Sequence, residues 1–145
     1  MKITVYAISK NEAKFAARWA KSMSEADEIV VLDTGSDDDT VKILTDAGVH
    51  VESAVIEPWR FDSARNESLK LVPPDTDVCV CTDIDEVFEP GWRAALERAW
   101  TDGATQGRYR YIWSHTADGK PGVEFYAEKI HTLGGFRWVN PVHEV

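Results

Sequence analysis

Two aspartates separated by a single residue, Asp83 and Asp85, are the side chains whose type and spacing best suggest chemistry in this chain. They follow an apolar run, residues 77–82, that is typical of a buried β-strand. On an extended backbone both side chains lie on the same side, with roughly 6–7 Å between their Cα atoms. That geometry lets one or both side chains reach a single Mg²⁺ or Mn²⁺, which proteins bind through few carboxylates together with substrate phosphates. The alternative for a D-x-D pattern by itself is a solvated acidic turn.

Polar residues also follow the other predicted strands, and in an open α/β sheet ligands bind outside the carboxyl ends of the strands. Asp33 supplies a carboxylate that could contact a nucleoside. Donors for a phosphate or a base come from Arg60, Arg65 and Asn66. Solvent-facing helix positions remain the alternative for Arg65 and Asn66. The segments expected at this edge are residues 9–12, 33–36, 58–60 and 83–86.

The charge balance excludes one class of partner and sets a condition for another. Acidic residues outnumber basic ones 25 to 16, giving a formal net charge of −9 and no basic stripe of the kind that binds nucleic acid. No G-x-G-x-x-G follows the first strand, and no G-x-x-x-x-G-K-S/T occurs anywhere in the sequence. A bound metal is therefore the natural way for this acidic protein to hold a diphosphate.

Apolar runs alternate with helical patterns along the first 100 residues. Strands that are apolar throughout and alternate with helices indicate a parallel sheet covered on both faces. Beyond this part the pattern becomes β-rich, with extended segments expected at residues 108–115, 123–130 and 136–139. We therefore predict one α/β domain over residues 1–145, with three or four βα units in residues 1–100 and a β-rich section in residues 101–145. Asn11 is the expected N-cap of the first helix.

The cysteines and the N-terminus favour a reducing, cytoplasmic location as the default expectation. Cys79 and Cys81 lie in an apolar strand pattern, where free cysteine behaves as a small hydrophobic residue. The N-terminus lacks the apolar region and cleavage signal of a secretory leader, and no apolar stretch reaches membrane-spanning length. We expect no integral membrane segment.

Five stretches of the chain form a set of motifs that belong together in one known family. They read ISKNE (residues 8–12), IVVLDTGSDDDT (29–40), FDSARN (61–66), DIDE (83–86), and GFRW followed by VHE (135–144). In order and spacing they resemble glycosyltransferase family two, and the closing stretch resembles the bacterial branch with a V-H-E ending. The resemblance covers essentially the whole chain.

The resemblance implies a GT-A fold, a three-layer α/β/α arrangement around a mostly parallel sheet. It also implies an enzyme that uses Mn²⁺ or Mg²⁺ to transfer a sugar from a nucleotide-diphospho-sugar, with a UDP-sugar favoured, and that inverts the anomeric centre. Residues 1–100 would then bind the donor, and residues 101–145 would form the metal and acceptor side. The matching positions are Ser9, Asn11, Glu12, Asp33, Gly35, Arg65, Asn66 and Asp83 for the nucleotide sugar; Asp83, Asp85 and His143 for the metal; and Glu144 or Glu86 for the general base.

The acceptor side is the least determined part of this reading, because a glycan, a lipid-linked sugar and a protein all remain open as acceptors. Trp59, Trp113 and Trp138 could offer sugar-stacking surface, although core positions are the usual place for such aromatics. The chain ends one residue after Glu144, whereas enzymes of this kind generally continue. A truncated chain, a naturally minimal enzyme, and a domain completed by a second copy or by another chain are therefore all open.

Two rival functions use the same features. A sugar nucleotidyltransferase would share the scaffold and the metal, but it should carry a glycine-rich basic loop near residues 9–15, which this sequence lacks. A non-catalytic or incomplete nucleotide-sugar-binding module would keep the donor site without an acceptor half. An assay for turnover of nucleotide sugars separates this module from an enzyme.

Overall fold

A six-stranded sheet forms the centre of the structure, a computed structural model that describes residues 1–142. The strands are β1 (Ile3–Ser9), β2 (Glu28–Asp33), β3 (His50–Ser53), β4 (Val78–Cys81), β5 (Gln106–Ile112) and β6 (Glu124–His131). Their order across the sheet is β3-β2-β1-β4-β6-β5. The first four are mutually parallel, and β6 runs antiparallel to both β4 and β5. The predicted α/β class with a mostly parallel sheet is confirmed.

Four helices within the described part of the chain cover the sheet: α1 (Ala13–Ser22), α2 (Thr40–Asp46), α3 (Phe61–Leu69) and α4 (Trp92–Ala99). Alternating side chains of β1 supply two hydrophobic clusters, with Val5 in the cluster that contains α1 and α2 and Tyr6 in the cluster beside α3. This two-sided burial explains why the central strands are apolar throughout. Trp19 of α1 is fully buried, whereas α4 packs against the core through the half-buried side chains of Trp92 and Leu96.

The pairing of β5 and β6 is interrupted by a β-bulge. Gly107 pairs with Ile130 and Tyr109 pairs with Ala127, so β5 advances by two residues while β6 advances by three. The extra residue of β6 therefore lies at residues 128–129. A bulge of this kind can redirect a side chain locally, and Lys129 lies within the bulged segment.

The extended segment predicted at residues 136–139 is not a strand, and this prediction was wrong. Instead, the backbone of Trp138 bonds to a side chain of α3. Its N–H donates to Asn66 Oδ1 at 2.9 Å, and its carbonyl accepts from Asn66 Nδ2 at 2.9 Å. Because these backbone groups are satisfied by one amide side chain, no neighbouring strand is needed. Trp138 itself is 2% exposed and belongs to the core.

A buried chain of hydrogen bonds joins three parts of the sequence. Trp138 Nε1 donates to the Tyr6 hydroxyl at 2.7 Å. The Tyr6 hydroxyl lies 2.7 Å from Nε2 of the fully buried His131, and His131 Nδ1 lies 2.8 Å from the carbonyl oxygen of Thr132. A neutral imidazole satisfies all these contacts when Nδ1 carries the proton. Burial lowers the pKa of His131 from its ordinary value near 6.5 to about 4.

We expect the free energy of unfolding to fall as the pH drops from 6.5 towards 4 because of His131. In that window the imidazole is protonated in the unfolded chain and neutral in the native protein, so acid favours unfolding. The measurement is urea unfolding across this pH range for the wild type and for His131→Gln. Other titrating groups cancel in the difference between the two proteins, and the variant should show the shallower slope. Equal slopes would contradict the assignment of a neutral His131.

None of the helices within residues 1–142 is both long enough and apolar enough to cross a membrane.

Candidate functional site

A buried carboxylate, that of Asp33, organises the carboxyl ends of β1 and β2. Its Oδ1 accepts from Ser9 Oγ at 2.8 Å and from the hydroxyl of Ser36, and its Oδ2 accepts from the backbone N–H groups of Gly35 at 3.1 Å and Ser36 at 2.8 Å. Burial opposes ionisation of Asp33, but the bonds from Ser36, Ser9 and Gly35 outweigh it and lower the pKa. Gly35 has a φ of 113°, a conformation that favours glycine. The β1 and β2 loops are thereby held as one unit.

Asn11 makes a second connection between these loops. Its φ of 54° lies in the left-handed region, which asparagine tolerates better than most residues. The Asn11 N–H donates to Ser36 Oγ at 2.8 Å, and its side-chain Oδ1 accepts from the N–H of Asp37 at 2.9 Å. The predicted N-cap role of Asn11 was wrong, because its side chain faces the neighbouring loop instead of the first turn of α1.

The backbone N–H groups at the start of α1 are satisfied by the loop that precedes α2 and by the first residue of α2. The N–H of Glu12 donates to Thr40 Oγ1 at 2.7 Å, and the N–H of Ala13 donates to Asp38 Oδ2 at 3.2 Å. Asp38 also accepts from the N–H and the hydroxyl of Thr40. Two loops that are separate in sequence therefore determine each other's shape at the edge where a ligand would bind.

Asp83, the first residue of the D-x-D pair, is held by two cations. Its Oδ1 pairs with the guanidinium of Arg65, and its Oδ2 accepts from Lys129 Nζ at 2.8 Å. Burial opposes ionisation of Asp83, but the positive charges of Arg65 and Lys129 hold its pKa well below the ordinary range. The carboxylate is ionised, and both of its oxygens are engaged.

Glu86 continues this chain of contacts. Lys129 Nζ donates to Glu86 Oε1 at 2.8 Å, and the hydroxyl of Tyr109 donates to Glu86 Oε2 at 2.7 Å. Glu86 is only 5% exposed, and burial raises its pKa. Although burial disfavours a charged amine, the carboxylates of Asp83 and Glu86 raise the pKa of Lys129. We call these five residues, Arg65, Asp83, Lys129, Glu86 and Tyr109, the anchoring cluster.

Asp85, the second residue of the pair, has a different environment. Its side chain is exposed, and its backbone carbonyl accepts from Arg18 Nη2 at 3.0 Å. Within residues 1–142, no hydrogen bond or ion pair engages the Asp85 carboxylate. Nearby Glu12 has a raised pKa, caused first by burial and then by the negative charges of Asp85, Asp83 and Asp38. The two aspartates that look alike in sequence are therefore unlike in structure: Asp83 is engaged, and Asp85 is available.

The residues present suit a cation whose coordination shell is completed by oxygen atoms of a bound substrate. Among the described residues, no three His, Cys, Asp or Glu side chains lie close enough to form a complete metal site. One available carboxylate, that of Asp85, in a region of negative charge matches the incomplete cage that Mg²⁺ or Mn²⁺ uses with phosphates. His143 and Glu144, the predicted metal ligand and general base, lie outside the described residues.

The α3 residues Arg65 and Asn66 face inward. Arg65 is 3% exposed, and its Nη1 donates to the carbonyl of Thr82 at 3.2 Å, directly before Asp83. The Arg65 guanidinium also lies 5.9 Å from the centre of the Trp138 ring. Asn66 uses its amide on the Trp138 backbone, as described above. The solvent-facing alternative therefore does not hold for Arg65. Arg65 contacts the segment that carries Asp83, and Asn66 holds the backbone of Trp138.

A groove of about 920 Å³ lies beside the aspartate pair, between α4, the loop of residues 85–91, and β5. Both Asp85 and Glu86 line it. Aromatic side chains form much of its wall, and one of them, Trp113, is 69% exposed. The aromatic lining comprises Phe88, Trp92, Tyr109, Tyr111 and Trp113.

Sequence reasoning missed two members of the anchoring cluster, Lys129 and Tyr109. Both lie on strands that it had located approximately. Tyr109 falls at an inward position of the alternating pattern of β5, which is a weak signal. Lys129 is a charged residue in the inner half of β6, but only the bulge and the pairing with β4 bring it to Asp83.

The sheet order and the aspartate pair after β4 define a GT-A glycosyltransferase fold, and solved structures of that class are similar to this chain. One is glucosyl-3-phosphoglycerate synthase from Mycobacterium tuberculosis in complex with UDP, with 25% identity, a TM-score of 0.61, and coverage of 72% of this chain and 42% of that one. A second is residues 1–349 of S. aureus TarS in complex with UDP-GlcNAc, with 20% identity, a TM-score of 0.57, and coverage of 68% of this chain and 30% of that one.

The chain belongs to glycosyl transferase family 2, whose family model matches residues 4–143. The resemblance seen in the sequence is thereby confirmed. A curated relative from Rickettsia felis, described as an uncharacterized glycosyltransferase, is 41% identical over 59 residues, which cover 40% of this chain and 20% of that protein. This chain therefore matches less than half the length of each of these relatives, from 20% to 42%.

Proposed function

We propose that this chain forms the donor-binding part of a metal-dependent glycosyltransferase that moves a sugar from a UDP-sugar to an acceptor hydroxyl with inversion. The observation that carries the proposal is the available carboxylate of Asp85 next to the engaged Asp83, at the carboxyl edge of a parallel sheet in a family 2 chain. A structure of the M. tuberculosis synthase with Mn²⁺, UDP and phosphoglyceric acid, 25% identical to this chain over 72% of its length, supports both the nucleotide and the metal.

In this proposal the nucleoside lies against the paired loops of β1 and β2. Asp33 acts mainly by fixing their shape, since Ser9, Gly35 and Ser36 already occupy its oxygens. The diphosphate then extends towards the aspartate pair, where Arg65 holds Asp83 in place. Asn66 contributes by fastening residues 136–139 beneath the site. Asn11 and Glu12 border the nucleoside side, because they begin the connection from β1 to α1.

Asp85 would hold the cation, with His143 as a second protein ligand and the donor's phosphates completing the coordination. Bound Mg²⁺ or Mn²⁺ supplies a Lewis acid that neutralises charge growing on the departing diphosphate. Of the two candidates for the general base, Glu86 has both oxygens engaged and is 5% exposed. A base must reach the proton that it removes, so we assign this role to Glu144.

The groove between α4 and β5 is our candidate entrance for the acceptor. Its volume of about 920 Å³ falls within the range of small-molecule sites. Aromatic rings next to carboxylates suit a sugar, whose apolar ring faces stack while its hydroxyl groups donate. The lining therefore favours an acceptor that presents a saccharide, either a glycan or a lipid-linked sugar. Tyr111 and Trp113 are the side chains proposed to contact it.

A second candidate is a nucleotide-sugar-binding module without transfer activity, and partial coverage of the relatives by this chain keeps it open. The two functions share the donor site and differ only in turnover. The family match makes the third candidate, a sugar nucleotidyltransferase, the weakest.

We expect slow, Mn²⁺-dependent hydrolysis of a UDP-sugar, because water can replace the acceptor once the donor and metal are bound. The measurement is UDP release from a panel of UDP-sugars with Mn²⁺ and with a chelator, using Asp85→Asn as the inactive control. Tight metal-dependent binding without release for any donor would favour the binding module. Absence of binding for every nucleotide sugar tested would contradict the proposed function itself.

A further inference from the structure

Lys129 is the central member of the anchoring cluster. Its ammonium lies 2.8 Å from Asp83 Oδ2 and 2.8 Å from Glu86 Oε1, so one positive charge bridges both carboxylates. The side chain is 22% exposed and points to this position from the bulged part of β6. The proposed function gives Lys129 no direct role in donor binding or in proton transfer.

The charges of the cluster cancel. Two cations, Arg65 and Lys129, balance the charges of two carboxylates, those of Asp83 and Glu86. All four oxygens of these two carboxylates have a partner. Asp85 lies between these carboxylates in sequence, yet it is outside the cluster and exposed. Three acidic residues within four positions therefore present only one available carboxylate to a cation.

We propose that Lys129 is a positioning residue that keeps Asp83 and Glu86 from acting as metal ligands and so makes metal binding depend on the donor's diphosphate. This inference rests on the proposed function. With Asp85 alone on offer among these three residues, a hard cation gains most of its oxygen ligands from phosphates. Donor and cation then bind together, and a cation that arrives alone is held weakly.

Removing the Lys129 charge would have a consequence that a merely structural lysine would not have. Without the ammonium, one oxygen of Asp83 and one of Glu86 lose their partner, close to Asp85. Carboxylates that face each other without a counter-ion attract a divalent cation strongly. Loss of the lysine should therefore increase affinity for the metal alone, whereas disruption of the fold would decrease it.

The test is titration of Mn²⁺ by calorimetry, with and without UDP, for the wild type, Lys129→Met and Lys129→Arg. We expect Lys129→Met to bind Mn²⁺ alone about 10-fold more tightly than the wild type, a size typical of changes beside a metal ligand. The gain in Mn²⁺ affinity on adding UDP should shrink in the same variant. Lys129→Arg keeps the positive charge and should resemble the wild type. The matched control is Lys120→Met, because Lys120 is 79% exposed and pairs with Asp118 away from the site.

An unchanged or weaker affinity for Mn²⁺ alone in folded Lys129→Met would overturn the inference. If the wild type fails to bind Mn²⁺ even with UDP, the proposed function fails, which is a separate result. Should circular dichroism show that Lys129→Met is unfolded, Lys129→Met combined with Glu86→Gln removes one of the two unpaired charges. That double variant should still bind Mn²⁺ more tightly than Glu86→Gln alone, because Asp83 loses its contact with Lys129. Equal affinities of the two variants for Mn²⁺ would contradict the inference.

Discussion

Replacing Asp85 with asparagine is expected to abolish Mn²⁺-dependent binding of UDP, with a loss of affinity of at least about 100-fold. Asp85 offers the one carboxylate of the D-x-D pair that no partner engages within residues 1–142, and the neutral amide is a far weaker ligand for a hard cation. Calorimetry with UDP, in the presence and absence of Mn²⁺, measures the effect. The free energy of unfolding should hardly change, because the side chain is exposed and makes no described contact.

Two further variants make this result specific. Glu89→Gln removes an exposed carboxylate that lines the same groove four residues further on, and it should leave UDP and Mn²⁺ binding unchanged. Asp83→Asn should weaken binding and also destabilise the protein, since Arg65 and Lys129 lose their shared carboxylate. A folded Asp85→Asn protein that binds UDP and Mn²⁺ like the wild type would refute the assignment of the metal ligand.

The sequence was sufficient to predict the fold and the edge of the sheet at which Asp33 and Asp83 lie. The apolar runs of β1, β2 and β4 and the helical patterns between them are local signals, and they led to the parallel sheet. Because the carboxyl ends of parallel strands meet at one edge, the positions of Asp33 and Asp83 followed from that sheet. The residue types within each strand and directly after it were enough to predict this edge, without knowledge of any contact between distant residues.

The support of the site could not be predicted, because it depends on contacts between distant residues. Lys129 reaches Asp83 across 46 positions of the chain and Glu86 across 43, through a bulge that leaves no local signature. The same holds for Asn66, which bonds the backbone of Trp138 across 72 positions. A residue's type and its neighbours in sequence do not determine which distant partner it meets.

The different environments of Asp83 and Asp85 also could not be predicted from the local sequence pattern. In sequence the two aspartates belong to one motif, and one or both of them were expected to reach the cation. In the structure, Asp83 lies between Arg65 and Lys129, and these two cations occupy both of its carboxylate oxygens. Asp85, two residues on, lies beyond the end of the buried strand and meets neither cation.

The hydroxyl group of Tyr6 is expected to contribute strongly to stability, so that Tyr6→Phe lowers the free energy of unfolding by about 2–4 kcal/mol. The hydroxyl lies in the core and is within 2.7 Å of both His131 Nε2 and Trp138 Nε1. Its loss leaves an acceptor and a donor buried without a partner, each at the cost of its lost hydration. Urea unfolding followed by tryptophan fluorescence near pH 7 gives the measurement.

Tyr126→Phe is the matched control, because it deletes a tyrosine hydroxyl from a side chain that is 61% exposed on β6. Its effect should stay within about 0.5 kcal/mol, as is usual for surface substitutions. Since Tyr6 links β1 to β6 and to residues 136–139, its loss should also loosen the attachment of Trp138 below the site. Faster amide hydrogen exchange at Trp138 in Tyr6→Phe would show this loosening, and similar stability of the two variants would mean that the buried hydroxyl does not hold these elements together.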